Sequence, residues 1–184
     1  AMGALPKQTF EKAIADVLYG DANPSGKLPY TYPRFEGSLW SYDHMLSDER
    51  DVTFGLNGFN PQYEFGYGLS YTQFKYENLH LSADSISFSD TLLIRVNVSN
   101  VGKVKGSETV LLFVSDEVAS VSPPVKQLKR FHKVSLDQGA SNEVIFEITS
   151  DDLKFVDQDN KWITEPGYFT ISLGTEVSRF YLHK

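Results

Sequence analysis

The sequence predicts the all-β class, with most of the chain folded as an antiparallel β-sandwich of about seven strands. Three observations carry that expectation. Apolar residues Leu92, Ile94, Val96 and Val98 alternate with Leu93, Arg95, Asn97 and Ser99, and the same step of two returns in Val144, Phe146 and Ile148, the period of half-buried strands. Further strand candidates lie at 79–83, 108–115, 128–136, 167–173 and 179–183, separated by Gly, Pro, Asn and Asp clusters. Short strands of even spacing argue for a sandwich, and an immunoglobulin-like strand order is the commonest version at about 110 residues. The chain contains no cysteine, so apolar packing alone must join the two sheets.

The residues in front of the strands have a different character. Phe10, Ala13, Ile14, Val17 and Leu18 recur at helical spacing, with Thr9 as a candidate cap and Gly20 just past the last apolar position. A dense turn signal follows, Asp21-Ala22-Asn23-Pro24-Ser25-Gly26, and then an extended segment at 27–33. Pro29 and Pro33 restrict that segment to a sheet edge or an irregular strand, because proline has no N–H to give to a ladder. A helix, a turn and one edge strand cannot enclose a core. The apolar face of the helix must therefore pack on the sandwich or on protein beyond this chain.

Residues 35–72 show little periodicity but carry Phe35, Trp40, Tyr42, Phe54, Phe59, Tyr63, Phe65, Tyr67 and Tyr71. A structureless stretch of that length inside a compact domain is uncommon and is usually functional or wraps a neighbouring surface. The chain thus divides into a helix, turn and edge strand at 1–34, an aromatic irregular connector at 35–74 and a β-sandwich at 75–184.

Composition narrows the function. At 184 residues, with 41% hydrophobic residues, 13 Phe and 10 Tyr, there is material for a core. The formal net charge of -7, with 17 Lys and Arg forming no basic stripe, argues against nucleic acid as a partner. The longest apolar run, at 110–114, is far short of the roughly 20 residues that span a bilayer, so no membrane contact is expected. No metal or other cofactor is expected, since His44, His80, His132 and His183 lack ligand spacing. The stretch from Gly20 to Lys27 looks like a phosphate loop but has one residue too many between its glycines and Leu28 where Ser or Thr belongs. Asn97-Val98-Ser99 matches a glycosylation acceptor inside an expected strand and is read as chance. Glu49, Asp51, Asp116 and Glu117 are read as solvated acidic positions.

Specific strings go further than periodicity. The run from Ala13 to Pro29, with Gly20-Asp21-Ala22-Asn23-Pro24-Ser25-Gly26-Lys27-Leu28-Pro29 at its heart, resembles the late α/β-sandwich segment of family 3 glycoside hydrolases, the β-glucosidase and β-xylosidase family. Phe65-Gly66-Tyr67-Gly68-Leu69-Ser70-Tyr71-Thr72 resembles that family's junction into its terminal domain. Pro124-Val125-Lys126-Gln127-Leu128-Lys129 and Glu165-Pro166-Gly167 are similar to stretches of its fibronectin type III-like domain. The strings fall in the family's order over almost the whole chain, with departures at Arg130 and His132. The resemblance implies that 1–34 is the tail of an α/β sandwich, that 75–184 is a fibronectin type III-like domain, and that the setting is periplasmic or secreted. It also implies a C-terminal part: Ala1-Met2-Gly3 reads as a cloning remnant.

Glycoside hydrolysis needs two carboxyl groups flanking the scissile bond. In this family, the resemblance implies, the nucleophilic aspartate sits on an N-terminal barrel within a Ser-Asp-Trp-like string. Here Ser47-Asp48-Glu49, Ser89-Asp90-Thr91, Ser115-Asp116-Glu117 and Ser150-Asp151-Asp152 lack the tryptophan, and no catalytic residue is carried over. The expected function is accessory and scaffolding, with the parent's catalytic barrel and α/β sandwich as partners and oligosaccharide as a further one. Trp40 and Tyr42 are the candidates for stacking on sugar, although interdomain packing is the expected role of the stretch that holds them. The alternative is a free-standing β-sandwich module binding carbohydrate or protein, against which residues 5–33 speak, since such a module has no use for them.

Overall fold

A computed structural model describes residues 7–37, 41–45 and 58–184. One helix, α1 (Lys7–Tyr19), opens the described chain. Ten strands follow: β1 (Phe74–Leu81), β2 (Ser85–Ser87), β3 (Thr91–Asn100), β4 (Gly106–Asp116), β5 (Gln127–Leu136), β6 (Ser141–Thr149), β7 (Phe155–Val156), β8 (Trp162–Ile163), β9 (Gly167–Leu173) and β10 (Glu176–His183).

The strands form two facing sheets. One has the order β1-β3-β6, the other β2-β10-β9-β4-β5, and β7 pairs with β8 as a separate hairpin. Alternation dictates the core. Leu92 stands opposite Ile148, Ile94 opposite Phe146 and Val96 opposite Val144, all with their side chains buried. The facing sheet answers with Leu112 opposite Leu173 and Val114 opposite Ile171, and with Phe169 stacked on Phe180 at 5.6 Å. These apolar faces hold the two sheets together without a disulfide.

Strand β4 alternates in burial but is apolar on both faces, and the reason is visible. Its core face carries Val110, Leu112 and Val114, while Thr109, Leu111 and Phe113 on the outer face are also partly covered. Phe65 lies edge-on to Phe113 at 6.2 Å, and a Cβ at Gly66 would stand 2.8 Å from Leu111. The connector therefore roofs the middle of the sheet, and a strand covered on both faces reads as the continuous apolar run at 110–114.

The all-β sandwich behind a short helix is as expected, with differences in detail. Thr9 is no cap: α1 already runs from Lys7, which puts Thr9 inside the first turn. Gly20 does end the helix, at φ 85°, with its N–H on the Val17 carbonyl and that of Ala22 on Asp16. The edge strand of 27–33 is reduced to a single antiparallel bridge, Tyr32 to Tyr63. Leu28 and Tyr32 still exchange backbone hydrogen bonds with Gly66, Tyr67, Tyr63 and Gln62, but Pro29 and Pro33 interrupt any longer ladder. Strand β1 begins well before 79–83, because a register shift between Glu77 and His80, with Asn78 at φ 58°, breaks its alternation. β2, β7 and β8 are too short to show a period.

Candidate functional site

The structure concentrates its specific polar contacts where α1, the 21–28 turn and the connector meet the sandwich. Asn23 is the hub. Its Oδ1 accepts from the Tyr71 N–H at 2.8 Å and the Ser70 hydroxyl at 3.0 Å, and its Nδ2 donates to the Lys105 carbonyl at 3.1 Å. The Tyr71 hydroxyl donates to the Val17 carbonyl at 2.7 Å, at the open end of the helix. Gly106 lies under this clasp, where a Cβ would stand 2.6 Å from Asn23 Nδ2 and 2.7 Å from Thr72 Cγ2. Beside it, a Cβ at Gly68 would come within 2.3 Å of the Gly26 carbonyl oxygen.

Below the clasp lies a charged contact. Lys27 Nζ reaches Glu108 Oε2 at 3.2 Å, and the Tyr76 hydroxyl donates to Glu108 Oε1 at 2.9 Å. Burial, and next the Glu108 carboxylate, push the Tyr76 phenol far above its usual range, which keeps it a donor. Asn100, 1% exposed, anchors the neighbouring turn. It accepts from the Thr72 hydroxyl at 2.5 Å and the Gly102 N–H, and donates to the Val104 and Leu136 carbonyls. The lysine of the apparent phosphate loop is thus spent on a carboxylate of the sandwich.

Around this clasp the surface is apolar. On α1, Phe10 is 59% exposed, Ile14 44% and Leu18 73%. Of the two places open to that face, the sandwich does not cover it. Tyr30, Tyr32, Tyr63 and Tyr67 continue the surface as a chain of rings, with centroids 6.1, 6.1 and 4.5 Å apart. All of them are exposed, as are Phe35, Leu69 and Tyr71. Arg34 braces the row by donating to the Asn60 side chain and the Pro61 carbonyl.

Trp40 lies outside the described residues. Tyr42 is half-buried, with its ring 4.9 Å from Phe65 and its hydroxyl oxygen accepting the Leu128 N–H. Burial pushes its phenol up, partly offset by that N–H. Glu49, Asp51 and Ser47-Asp48-Glu49 also lie outside the described residues. Asp116 and Glu117 are not merely solvated: Asp116 is partly buried, and Glu117 pairs with Arg179 at 2.5 Å and accepts from Thr170. The strand end brings them against β9 and β10, where charges find partners. Two of the Ser-Asp strings are turn devices, Asp90 accepting from the Ser87 N–H and Asp152 from the Thr149 N–H while pairing with Arg130 at 2.8 Å. Among the described residues no group of three or more His, Asp or Glu could hold a metal ion, and no helix is long and apolar enough to cross a membrane.

Comparison with known proteins gives these contacts a context. Residues 2–71 match the model of the glycosyl hydrolase family 3 C-terminal domain, and residues 108–177 that of the fibronectin type III-like domain. The chain is a C-terminal part of a family 3 glycoside hydrolase. The periplasmic β-glucosidase of Salmonella typhimurium is 39% identical over 177 residues, covering 91% of this chain and 23% of its own length. A β-xylosidase of Formosa agariphila is 40% identical, over 88% of this chain and 23% of its own. A solved β-glucosidase of Erythrobacter marinus superposes with a TM-score of 0.85 at 37% identity, over 93% of this chain and 23% of that one. This family 3 region therefore spans about a quarter of the length of the relatives it matches.

In the family 3 region the strings quoted from the sequence become contacts. Asn23 and Lys27 of the first string grip Ser70, Tyr71 and Glu108, and Gly66 and Gly68 of the second let the connector lie close to β4 and to the turn. Glu108, Tyr76 and Asn100 were not singled out from the sequence. Glu108 did leave a signal, for it occupies an apolar phase of β4, two residues before Val110. Tyr76 and Asn100 left none, because the contacts that define them come from distant segments.

Proposed function

We propose that this family 3 region is the accessory, scaffolding part of a glycoside hydrolase that acts on terminal β-D-glucosides or β-D-xylosides, and that it is not catalytic alone. The observation that supports this reading best is the exposed apolar face of α1, fixed in place by the Asn23 and Tyr71 clasp. A helix tied to the connector with Phe10, Ile14 and Leu18 in water is suited to receive a neighbour. The partners we propose are the catalytic barrel and the α/β sandwich of the parent enzyme, the aromatic row from Tyr30 to Tyr67 extending their contact. The boundaries 1–34, 35–74 and 75–184 belong to the same proposal. By fixing nearby loops such a region would hold an active site in shape, since catalytic groups tolerate only small displacements.

Relatives named as β-glucosidase and as β-xylosidase support both substrate classes. For Trp40 and Tyr42 the role we propose is packing, in line with the hold of Phe65 and Leu128 on Tyr42. Unchanged catalytic efficiency on oligosaccharides in a Trp40→Ala variant of the full enzyme would remove Trp40 from sugar contact. The main test is direct. The chain alone is expected to show no turnover of aryl β-glucosides or β-xylosides, and a robust rate abolished by one carboxylate substitution would overturn the proposal.

A further inference from the structure

Strand β4 is 11 residues long, so its two ends stand about 33 Å apart. The clasp occupies one end. At the other, between the loop after β4 and the β7–β8 hairpin, lies a cleft of about 380 Å³. That volume is within the roughly 300–1,000 Å³ of small-molecule sites. Its walls include Trp162 and Phe155 from the hairpin and Pro123 and Pro124 from the loop. Trp162 is 70% exposed, an indole whose flat apolar face is left in water.

Two polar groups converge on the same space. Asp116 Oδ1 accepts the Val118 N–H at 3.2 Å, and burial, then Glu165 and Glu117, push its carboxyl up. Lys129 Nζ donates to Gln127 Oε1 at 2.9 Å, and burial pushes its ammonium down. A carboxylate has about four acceptor positions and an ammonium three donors, so both keep capacity for a ligand. Opposite charges in one cleft disfavour an anion through Asp116 and a cation through Lys129. A purely aromatic ligand would desolvate both polar groups without filling their remaining hydrogen-bond positions. What fits is a neutral molecule with a flat apolar face and a rim of hydroxyls.

We propose that this cleft binds a pyranose unit, stacked on Trp162 with its hydroxyls donating to Asp116 and accepting from Lys129. The site is separate from the scaffolding contacts at the opposite end of β4 and does not depend on them. The chain has 2 tryptophans, so a Trp40→Phe background makes Trp162 the fluorescent reporter. In that background, titration with cellobiose and with xylobiose is expected to give a saturable change for at least one of them. Trp162→Ala should weaken binding about tenfold or more, Trp162→Phe should retain most of it, and Asp116→Asn should weaken it, all with unchanged circular dichroism. Because the alanine variant removes the reporter, its affinity is read by calorimetry. No saturable response to either disaccharide, binding indifferent to Trp162→Ala, or equal binding of p-nitrophenol would each overturn the assignment.

Discussion

Glu108 stands where the alternation of β4 calls for an apolar side chain, and its environment explains why it is tolerated. Lys27 and Tyr76 both reach it from segments remote in sequence, so a carboxylate in the core phase has a cation and a donor to meet it. Removing one member strands the others. Glu108→Ala is expected to destabilise the chain by about 2–4 kcal/mol in urea unfolding, and Lys27→Met by a similar amount, because methionine keeps the aliphatic contact but leaves the more buried carboxylate with Tyr76 alone. Gly106→Ala should also destabilise, by about 1–3 kcal/mol, since its Cβ must displace Asn23 or Thr72. In an Asn23→Ala background that cost should shrink, and a double-mutant cycle reads the difference. Asp152 adds a pH dependence. Burial pushes its carboxyl up, but the Thr149 N–H and the Arg130 guanidinium outweigh that and lower it. A carboxyl depressed in the folded state contributes stability at neutral pH that is lost as pH falls below the ordinary carboxylate range near ~4. Arg130→Ala should flatten that acid limb in a stability-versus-pH series.

At the scale of elements, α1 and β4 show opposite uses of apolar surface. Strand β4 is covered twice, by the facing sheet and by the connector, and its apolar run is consumed inside the chain. Helix α1 spends its C-terminal carbonyl on Tyr71 but leaves Ile14 and Leu18 in water. Substitution separates these cases. Ile14→Asp with Leu18→Asp should change the unfolding free energy of the chain alone by no more than about 0.5 kcal/mol while lowering its binding of a hydrophobic dye. In the full-length enzyme the same pair should be strongly destabilising, as charges would then be buried at the proposed contact. Equal tolerance in both would remove α1 from any interface. The longer strands were legible in the sequence because each spans enough residues to show a period of two. The hairpin of β7 and β8 was not, since two residues have no period, and β1 was half hidden by its shift at Asn78.

For the molecule as a whole, the sandwich is closed and the front of the chain is not. The sandwich core is a continuous cluster of apolar side chains, with Asn100 and Glu108 as buried polar members beside it, and Ile94→Ala should cost about 2–5 kcal/mol as a cavity in a packed interior. The surface of α1 and the tyrosine row is instead bound to the sandwich through a few polar contacts, chiefly those of Asn23, Lys27 and Tyr71. Such an arrangement fixes the position of an exposed face without covering it. Its consequence is measurable as self-association: the chain alone should associate in a concentration-dependent way by sedimentation, and Ile14→Asp with Leu18→Asp should suppress this.

The sequence by itself determined the all-β class, most strands, the place of the helix and the family, because alternation, turn residues and ordered strings are local properties. It also determined that an apolar helix face needed cover. Only the tertiary structure decided that the sandwich does not supply that cover, that Lys27 belongs to Glu108, and that Trp162, Asp116 and Lys129 share one cleft. Those facts depend on distances between segments tens of residues apart, which the fold sets and no local pattern encodes.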